Sequence, residues 1–139
     1  MPEPRYLVDT SVLARARQEV VGRRLEELSL HGRFWTCRII DLEVIFATRA
    51  GDVPVVAAGR RALPEAPVNP AVMDRAVDVM ETMAASGVHR SAKPLDYVIA
   101  AAAESAGLAV LHYDDDFDRI AEVTGQVVSW VAPRGTLES

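Results

Sequence analysis

The chain has 139 residues, of which 50% are hydrophobic, and carries a formal net charge of -5. This length suits one domain with a core of its own, so we expect a single domain over residues 1–139. The negative charge argues against a protein that holds nucleic acid mainly through a basic surface. Because Cys37 is the single cysteine, an intramolecular disulfide and a site of several thiolates are excluded.

The sequence carries no signal for a membrane or for export. No apolar run approaches the ~18 residues that a membrane span needs. Residues 1–10 lack the basic and apolar regions of a signal peptide. We therefore expect a cytoplasmic protein with no membrane partner. Residues 132–139, after the last predicted strand, are interpreted as a C-terminal tail.

Short apolar runs alternate along the chain with segments of helical periodicity. Strands are predicted from β-type runs bounded by turn residues, at 5–8, 34–38, 63–68, 108–113 and 126–131. The run at 63–68 is at best a short edge strand because it contains two prolines. Helices are predicted from apolar spacing and capping residues, after Thr10 or Ser11 and at 20–30, 40–50, 53–61, 70–85, 94–106 and from 115 or 116 to 122. Strands separated by helices favour parallel pairing, so we predict an α/β domain in three layers.

Four acidic residues occupy positions that a solvated surface does not explain. Asp9 follows the first predicted strand, and Asp114 follows the strand at 108–113. Glu43 lies inside an apolar helix, and Asp96 lies in the first turn of an alanine-rich helix. The ends of parallel strands and the adjoining helix turns can converge at one edge of the sheet. We therefore expect these four carboxylates to share a pocket.

Each of these acids also has a purely structural interpretation. Asp9 and Asp114 could cap helices, and Asp96 could complement a helix dipole. Glu43 is harder to explain in this way. Its neighbours, including Leu42 and Phe46, suggest burial, and a buried unpaired glutamate is rare.

The segment 114–118 carries four aspartates, and the sequence does not determine which of them contacts a metal ion. We interpret Asp115, Asp116 and Asp118 as caps and a solvated face, with Asp116 as the main candidate for an exception. Other candidates lie just before Asp96. Arg90 and Lys93 could hold substrate phosphates, although a solvated loop explains them equally well.

Clustered carboxylates repel one another unless a cation neutralises them. Mg²⁺ or Mn²⁺ suits such a site, because both are hard ions that prefer oxygen ligands. A bound ion of this kind polarises a phosphoryl oxygen and lowers the pKa of water. The predicted reaction class is therefore phosphodiester hydrolysis. With an aromatic fraction of 6%, the sequence nominates no platform on which bases could stack.

Four short motifs resemble those of the PIN-domain ribonucleases, especially the VapC-type toxins of bacterial toxin-antitoxin pairs. They are VDTSVL at the start, IIDLEVIF around residue 43, KPLDYVIAAAAE around residue 96 and LHYDDDFDRIA at residue 114. The resemblance covers essentially the whole chain. It implies a parallel sheet of about five strands flanked by helices, and an endoribonuclease that depends on magnesium or manganese. It also implies an acidic metal-binding pocket formed by Asp9, Glu43, Asp96 and Asp114, with Asp116 as a fifth candidate.

The same resemblance implies roles for further residues and for partners. Thr10 or Ser11 would support the acidic pocket. The substrate would be RNA, and a homodimer is usual in such toxins. A small VapB-type antitoxin inhibits by inserting a segment into the active-site groove, and an acidic pocket would accept an arginine from it.

Two other functions fit parts of the pattern. A phosphoacceptor receiver domain also combines a parallel sheet with aspartates and a lysine, but Lys93 precedes a helix where that mechanism wants a strand end. A PIN-like module without catalysis could bind RNA or a protein, but the complete acid set argues against it. We therefore expect an endoribonuclease toxin, whose RNA target the sequence does not identify.

Overall fold

The computed structural model describes residues 2–138, so Met1 and Ser139, the ends of the predicted domain and tail, lie outside the described residues. Its strands form one parallel sheet in the order β2-β1-β3-β4. Their bounds are β1 Tyr6–Val8, β2 Phe34–Trp35, β3 Ala109–His112 and β4 Val128–Trp130. The prediction of a parallel α/β fold is confirmed.

Helices connect the strands and cover both faces of the sheet. Their bounds are α1 Thr10–Leu13, α2 Glu19–Leu30, α3 Arg38–Phe46, α4 Val53–Arg61, α5 Pro70–Ala85, α6 Pro94–Ala106 and α7 Asp116–Thr124. A short 3₁₀ turn, Ala50–Asp52, precedes α4. None of the helices within residues 2–138 combines the length and the apolar character that a membrane span requires.

The central strands β1 and β3 divide their side chains between two cores. Leu7 and Val110 belong to the larger core, which includes residues of α3, α5, α6 and α7. Val8 and Leu111 belong to the smaller core, which is closed by α1 and α2. Successive side chains of a strand point to opposite faces, so strands between two helical layers are apolar on both sides. The three-layer arrangement predicted from the sequence follows from this burial.

The predicted edge strand at 63–68 is not formed. Within residues 2–138, its ladder contact is a single parallel bridge between Glu65 and Thr36. Pro64 and Pro67 each lack a backbone N–H, so this segment cannot extend the ladder. The sheet therefore has four strands where about five were expected.

Several helix boundaries also differ from those predicted. The helix expected at 40–50 begins at Arg38 and ends at Phe46, which shortens the preceding strand to Phe34–Trp35. The helices expected at 53–61, 70–85 and 94–106 have the predicted bounds. Asn69 caps α5 by accepting a hydrogen bond from the Val72 N–H at 3.0 Å. Asp52, expected to cap α4, makes no such bond with its side chain.

A buried ion pair holds α3 against α4. The Arg60 Nε donates to Asp41 Oδ1 at 2.8 Å, and its Nη2 donates to Thr36 Oγ1 at 2.7 Å. Arg38 Nη1 donates to the second oxygen of Asp41 at 2.6 Å. Buried charges are tolerated when they are paired and hydrogen-bonded, as they are here. This network fixes the helix that carries Glu43.

Candidate active site

Asp9 directly follows β1 at the carboxyl edge of the sheet. Its backbone N–H donates to the Leu111 carbonyl at 3.0 Å, which extends the pairing with β3. One carboxylate oxygen, Oδ2, accepts from the Ser11 N–H at 3.0 Å, while Oδ1 is buried and accepts no hydrogen bond from residues 2–138. Burial raises the pKa of Asp9, the bonds from Ser11 oppose this, and the charge of Asp114 adds to the increase. Asp9 therefore combines the capping role with an unpaired oxygen.

Ser11 connects Asp9 to the segment after β3. While its N–H bonds Asp9, its Oγ accepts a hydrogen bond from the Tyr113 N–H at 2.9 Å. The predicted cap at Thr10 or Ser11 is wrong, because Thr10 is already helical and Asp9 caps α1. Ser11 is instead a hydrogen-bond partner of Asp9.

Asp96, Asp114 and Asp116 form a tight group of acids. Each presents a carboxylate oxygen within 4.8 Å of the other two. The first turn of α6 supplies Asp96, and the segment between β3 and α7 supplies the others. Asp114 Oδ1 also accepts from the Asp116 N–H at 3.0 Å. We call these three residues the acidic trio.

Asp96 has the most perturbed environment of the trio. Only 5% of the residue is exposed. Burial, followed by the neighbouring Asp116 carboxylate, raises the pKa of Asp96 to about 7, although Lys93 opposes the increase. Burial also disfavours the charge on Asp116, but hydrogen bonds with Lys93 and Asp96 lower its pKa overall. A proton near neutral pH is therefore held on Asp96 more than on Asp116.

The ammonium group of Lys93 lies among the three carboxylates. Its Nζ is 2.9 Å from Asp116 Oδ2, 3.1 Å from Asp114 Oδ2 and 3.3 Å from Asp96 Oδ2. Hydrogen bonding to Asp116, above all, raises the pKa of Lys93, so the group is charged. Lys93 thus offsets part of the negative charge of the acidic trio from within the chain. Arg90, the other predicted phosphate contact, is exposed in the preceding loop.

Glu43 reaches the same pocket from α3. Its Oε1 is buried and accepts no hydrogen bond from the described part of the chain. Burial raises its pKa, the charge of Asp9 adds to this, and Lys93 opposes it. Glu43 and Asp9 therefore lie beside the acidic trio without belonging to it. Glu43 as a whole is half-buried, so the burial that the sequence indicated holds for this oxygen and not for the entire side chain.

The unpaired oxygens show whether these residues fit a metal ion. Asp9 Oδ1 and Glu43 Oε1 are buried acceptors that no donor within residues 2–138 satisfies, whereas Asp96 Oδ2, which also lacks a hydrogen bond of good geometry, has the Lys93 ammonium 3.3 Å away. Such atoms are unfavourable unless a donor or a cation compensates them. The acidic trio offers carboxylate oxygens, which hard divalent cations prefer. The donor set therefore fits a divalent ion.

Comparison with known proteins agrees with this geometry. The family model described as the PIN domain matches residues 6–123. The chain belongs to the PIN-domain family. Among curated relatives, Ribonuclease VapC21 of Mycobacterium tuberculosis is 42% identical over 134 residues, which cover 95% of this PIN domain chain and 97% of the relative. Ribonuclease VapC18 of the same organism is 41% identical over 136 residues, covering 95% and 98%.

Solved structures share the fold of this PIN domain. The DNA-bound VapBC of Salmonella typhimurium aligns with a TM-score of 0.75 and 19% identity, covering 94% of this chain and 100% of that one. VapBC2 of Rickettsia felis, bound to a fragment of promoter DNA, aligns with a TM-score of 0.72 and 11% identity, covering 90% and 97%. At these identities the likeness concerns the fold alone.

Two aspartates near the acidic trio of this PIN domain point elsewhere. Asp115 Oδ2 lies 3.3 Å from Arg119 Nη2 and 2.7 Å from Arg134 Nη2. Asp118 Oδ2 accepts from the Trp130 indole N–H at 2.8 Å. The sequence spacing of these acids does not reveal where each side chain points. The directions depend on the residue at which α7 begins, because helix geometry sets them from there on. The structure thus separates Asp115 and Asp118 from the carboxylates of the pocket.

An apolar groove adjoins the acids of the PIN domain. It measures 830 Å³, and its lining includes Leu42, Phe46 and Leu95 together with Thr10 and Glu43. Phe46 is 93% exposed and Leu42 is 65% exposed. The burial expected for these neighbours of Glu43 is therefore wrong. Within residues 2–138 no element covers this side of α3, and exposed apolar surface of this kind is typical of an interaction site.

Proposed function

We propose that this PIN domain is a divalent-metal-dependent endoribonuclease and the toxin component of a type II toxin-antitoxin pair. The observation that carries the proposal is the convergence of buried, partly unpaired carboxylates from separate elements in one pocket. The names of the curated relatives, both ribonucleases, support the same activity. The substrate is RNA, and the bond that is hydrolysed is the phosphodiester.

We assign the metal site to Asp96, Asp114 and Asp116, with Asp9 and Glu43 beside them. These residues would hold one or two Mg²⁺ or Mn²⁺ ions. When bound, such an ion polarises a phosphoryl oxygen and lowers the pKa of a nearby water molecule. Ser11 would hold Asp9 in position. Its N–H donates to the Asp9 carboxylate, and its Oγ accepts from the Tyr113 N–H in the segment after β3.

Glu43 is suited to accept a proton from the attacking water. Its Oε1 has no hydrogen-bond partner in the described residues, so the atom is available. Its pKa lies above the ordinary value because of burial and the charge of Asp9. A carboxylate with a raised pKa is a stronger base. General base catalysis near neutral pH favours a pKa of about 7, so the increase brings the pKa of Glu43 towards the favoured range. Glu43 therefore has both the position and the basicity for this role.

Lys93 and Arg90 provide positive charge for substrate phosphates. The side chain of Lys93 is 67% exposed although it contacts the acidic trio. Once a metal ion neutralises the trio, the Lys93 ammonium is free to turn towards a phosphate at the mouth of the pocket. Arg90 lies in the same loop and is exposed. These contacts would hold the RNA without reading its sequence.

The apolar groove is the site that we assign to the antitoxin. It runs beside Glu43 and Leu95, which places it next to Asp9 and Asp96. An amphipathic helix with apolar residues at helical spacing fits a groove of this kind. An arginine on that helix could pair with the unpaired carboxylate oxygens and block the pocket. The homodimer implied by the family stays a prediction, which sedimentation velocity tests.

Cleavage of total cellular RNA tests the nuclease proposal. The purified chain is incubated with Mg²⁺ or Mn²⁺ and, separately, with a chelator, beside the Asp9→Asn variant. We expect cuts at a few positions that need both the metal and Asp9. Asp74→Asn is the matched control, because Asp74 is an exposed acid of α5 outside both the pocket and the groove. If folded, partner-free protein binds RNA but cuts none, the inactive binding module is the better description.

A further inference from the structure

A second cleft opens beside the acidic pocket, between β4 and the segment that follows β3. It measures 390 Å³, and its walls include Tyr113, Trp130, Arg15 and Arg134. Ligand pockets in proteins measure about 300–1,000 Å³, so the cleft has the size for a small ligand or for one unit of a larger one. We refer to it as the aromatic cleft.

Two aromatic rings form one wall of the aromatic cleft. The ring centroids of Tyr113 and Trp130 are 5.4 Å apart, and the rings meet edge to face at 82°. Both residues are half-buried, so part of each ring is open to the cleft. The rings are brought together because His112 pairs with Trp130 in the register of β3 and β4. This long-range pairing creates a stacking surface that composition alone does not indicate.

Two arginines complete the aromatic cleft. The Arg15 guanidinium lies 4.5 Å from the ring centroid of Tyr113, and that of Arg134 lies 5.9 Å from Trp130. The Nε of Arg15 is buried and has no hydrogen-bond partner within residues 2–138. Arg134 is 70% exposed. Guanidinium groups stack on aromatic faces and bind phosphates through paired donors, so these arginines suit a nucleic acid ligand.

The aromatic cleft is continuous with the acidic pocket. Asp114 belongs to the acidic trio and also lines the cleft. Ser11 bonds the backbone N–H of Tyr113 with its Oγ and the carboxylate of Asp9 with its own N–H. A nucleotide in the cleft would therefore lie next to a phosphate held at the acids.

We propose that the aromatic cleft is an RNA subsite, in which an unpaired base next to the cleaved phosphate stacks on the face of Tyr113 and meets Trp130 edge-on, because the two rings are nearly perpendicular, while Arg15 and Arg134 contact the backbone. The proposal rests on the ribonuclease function and adds a determinant of which RNA is cut. The base is unpaired because bases inside a duplex cannot reach an aromatic wall.

A different role for the same residues is packing of the C-terminal segment. The Leu137 N–H donates to the Tyr113 hydroxyl at 3.0 Å, and Arg134 bonds Asp115 at 2.7 Å. In that case the rings and arginines would only anchor residues 133–138. Base stacking depends on the Tyr113 ring, whereas anchoring of the C-terminal segment depends on its hydroxyl. Separate substitutions can remove the ring and the hydroxyl.

The experiment uses the fluorescence of Trp130. The chain has two tryptophans, so Trp35→Phe leaves Trp130 as the only one, and Asp9→Asn is added to prevent cleavage. A short single-stranded RNA of mixed sequence, labelled at one end, is the probe for quenching and for anisotropy. We expect this RNA to quench Trp130, and the corresponding RNA duplex to leave its emission unchanged. This measurement needs no substitution within the cleft.

Substitutions in the same background then test each wall. Tyr113→Leu should weaken binding roughly 5- to 100-fold, as expected for the loss of one base stack. Tyr113→Phe should change it less than about twofold, because the ring remains. Arg134→Ala should weaken binding, while Arg61→Ala, an exposed arginine of α4 outside the cleft, should not. The unfolding temperature of each variant shows whether it is folded.

Two binding results would overturn the subsite: absence of Trp130 quenching by the single-stranded RNA, or equal binding by Tyr113→Leu and Tyr113→Phe. Cleavage of total RNA, by chains that retain Asp9, distinguishes this failure from failure of the nuclease proposal. Cuts that persist at the same positions in Tyr113→Leu overturn the subsite and leave the nuclease intact. Quenching by RNA without any cleavage supports the subsite and overturns the nuclease.

Discussion

The Nζ of Lys93 lies 2.9 Å from Oδ2 of Asp116, closer than to the other two carboxylates of the acidic trio. Lys93 is the only lysine of the chain. Its ammonium group thus lies where a cation would bind. At the proposed metal site, a divalent ion would compete with this group, so metal binding and the release of Lys93 would be coupled.

Lys93→Met should therefore increase the affinity for metal. Removing the ammonium group removes both a competitor and the repulsion between two positive charges, which is worth on the order of 1 kcal/mol for charges surrounded by water, as the 67% exposed side chain of Lys93 largely is. We expect Mn²⁺ to bind roughly fivefold to tenfold more tightly. Isothermal titration calorimetry with Mn²⁺ alone measures this, and Lys93→Arg, which keeps the charge, is the control. Weaker binding by Lys93→Met would show that Lys93 assists the ion.

The four aspartates of the 114–118 segment should differ in metal binding. Asp114→Asn and Asp116→Asn each remove a charge from the acidic trio, and we expect Mn²⁺ affinity to fall about tenfold or more. Asp115→Asn and Asp118→Asn should leave it within about twofold, because these side chains pair elsewhere. The same calorimetric titration compares all four variants. Equal losses in every variant would mean that net charge alone determines affinity.

Asp96→Asn should stabilise the metal-free protein increasingly as the pH rises. The pKa of Asp96 is raised to about 7 on folding, from about 3.9 in an unfolded chain. The stability that this group contributes is therefore complete below about pH 4 and is lost as the pH rises through about 7. Between pH 5 and pH 8 the variant should gain on the order of 2 kcal/mol relative to the original chain.

Urea unfolding in the presence of a chelator measures this difference. His112 acts in the opposite direction, since burial lowers its pKa, but it is present in both proteins and cancels in the comparison. Mg²⁺ should reverse the order at pH 8 by stabilising the chain that retains Asp96. A difference in unfolding free energy that is the same at pH 5 and pH 8 would contradict the assignment.

Removing Asp41 should destabilise the fold more than removing its exposed partner. Asp41→Ala leaves the buried Arg60 without its carboxylate, a loss that costs about 3 kcal/mol or more. Arg38→Ala removes a side chain that is 45% exposed, so it should cost about 1 kcal/mol or less. Chemical unfolding followed by circular dichroism compares the two variants. Similar losses would show that Arg60 finds compensation from Thr36 alone.

The sequence predicted those features that depend on local pattern. Alternating apolar runs and helical periodicity indicated the parallel α/β fold, and acids at strand ends and in helix turns indicated the pocket. Asp9 could be nominated because it follows a strand of the parallel sheet, and Glu43 because a carboxylate among apolar neighbours is unusual. Their catalytic roles stay predictions that the cleavage experiment tests.

The features that escaped prediction depend on contacts between distant segments. Lys93 meets Asp114 and Asp116 only because the loop before α6 folds over the end of β3. Tyr113 and Trp130 meet through the register of β3 with β4. Phe46 is exposed because no other element of residues 2–138 packs over its side of α3, and no local sequence pattern specifies this.

The pocket is also discontinuous along the chain. Asp9 and Glu43 belong to the first third of the chain, whereas Asp96 and Asp114 belong to the last third. While a ribosome is still translating the middle of the message, the emerging polypeptide carries acids that have no partners. Under the proposed function, a premature stop codon anywhere before Asp114 therefore yields a product without a complete pocket, and a cell translating this message meets the nuclease only after Asp114 has been translated.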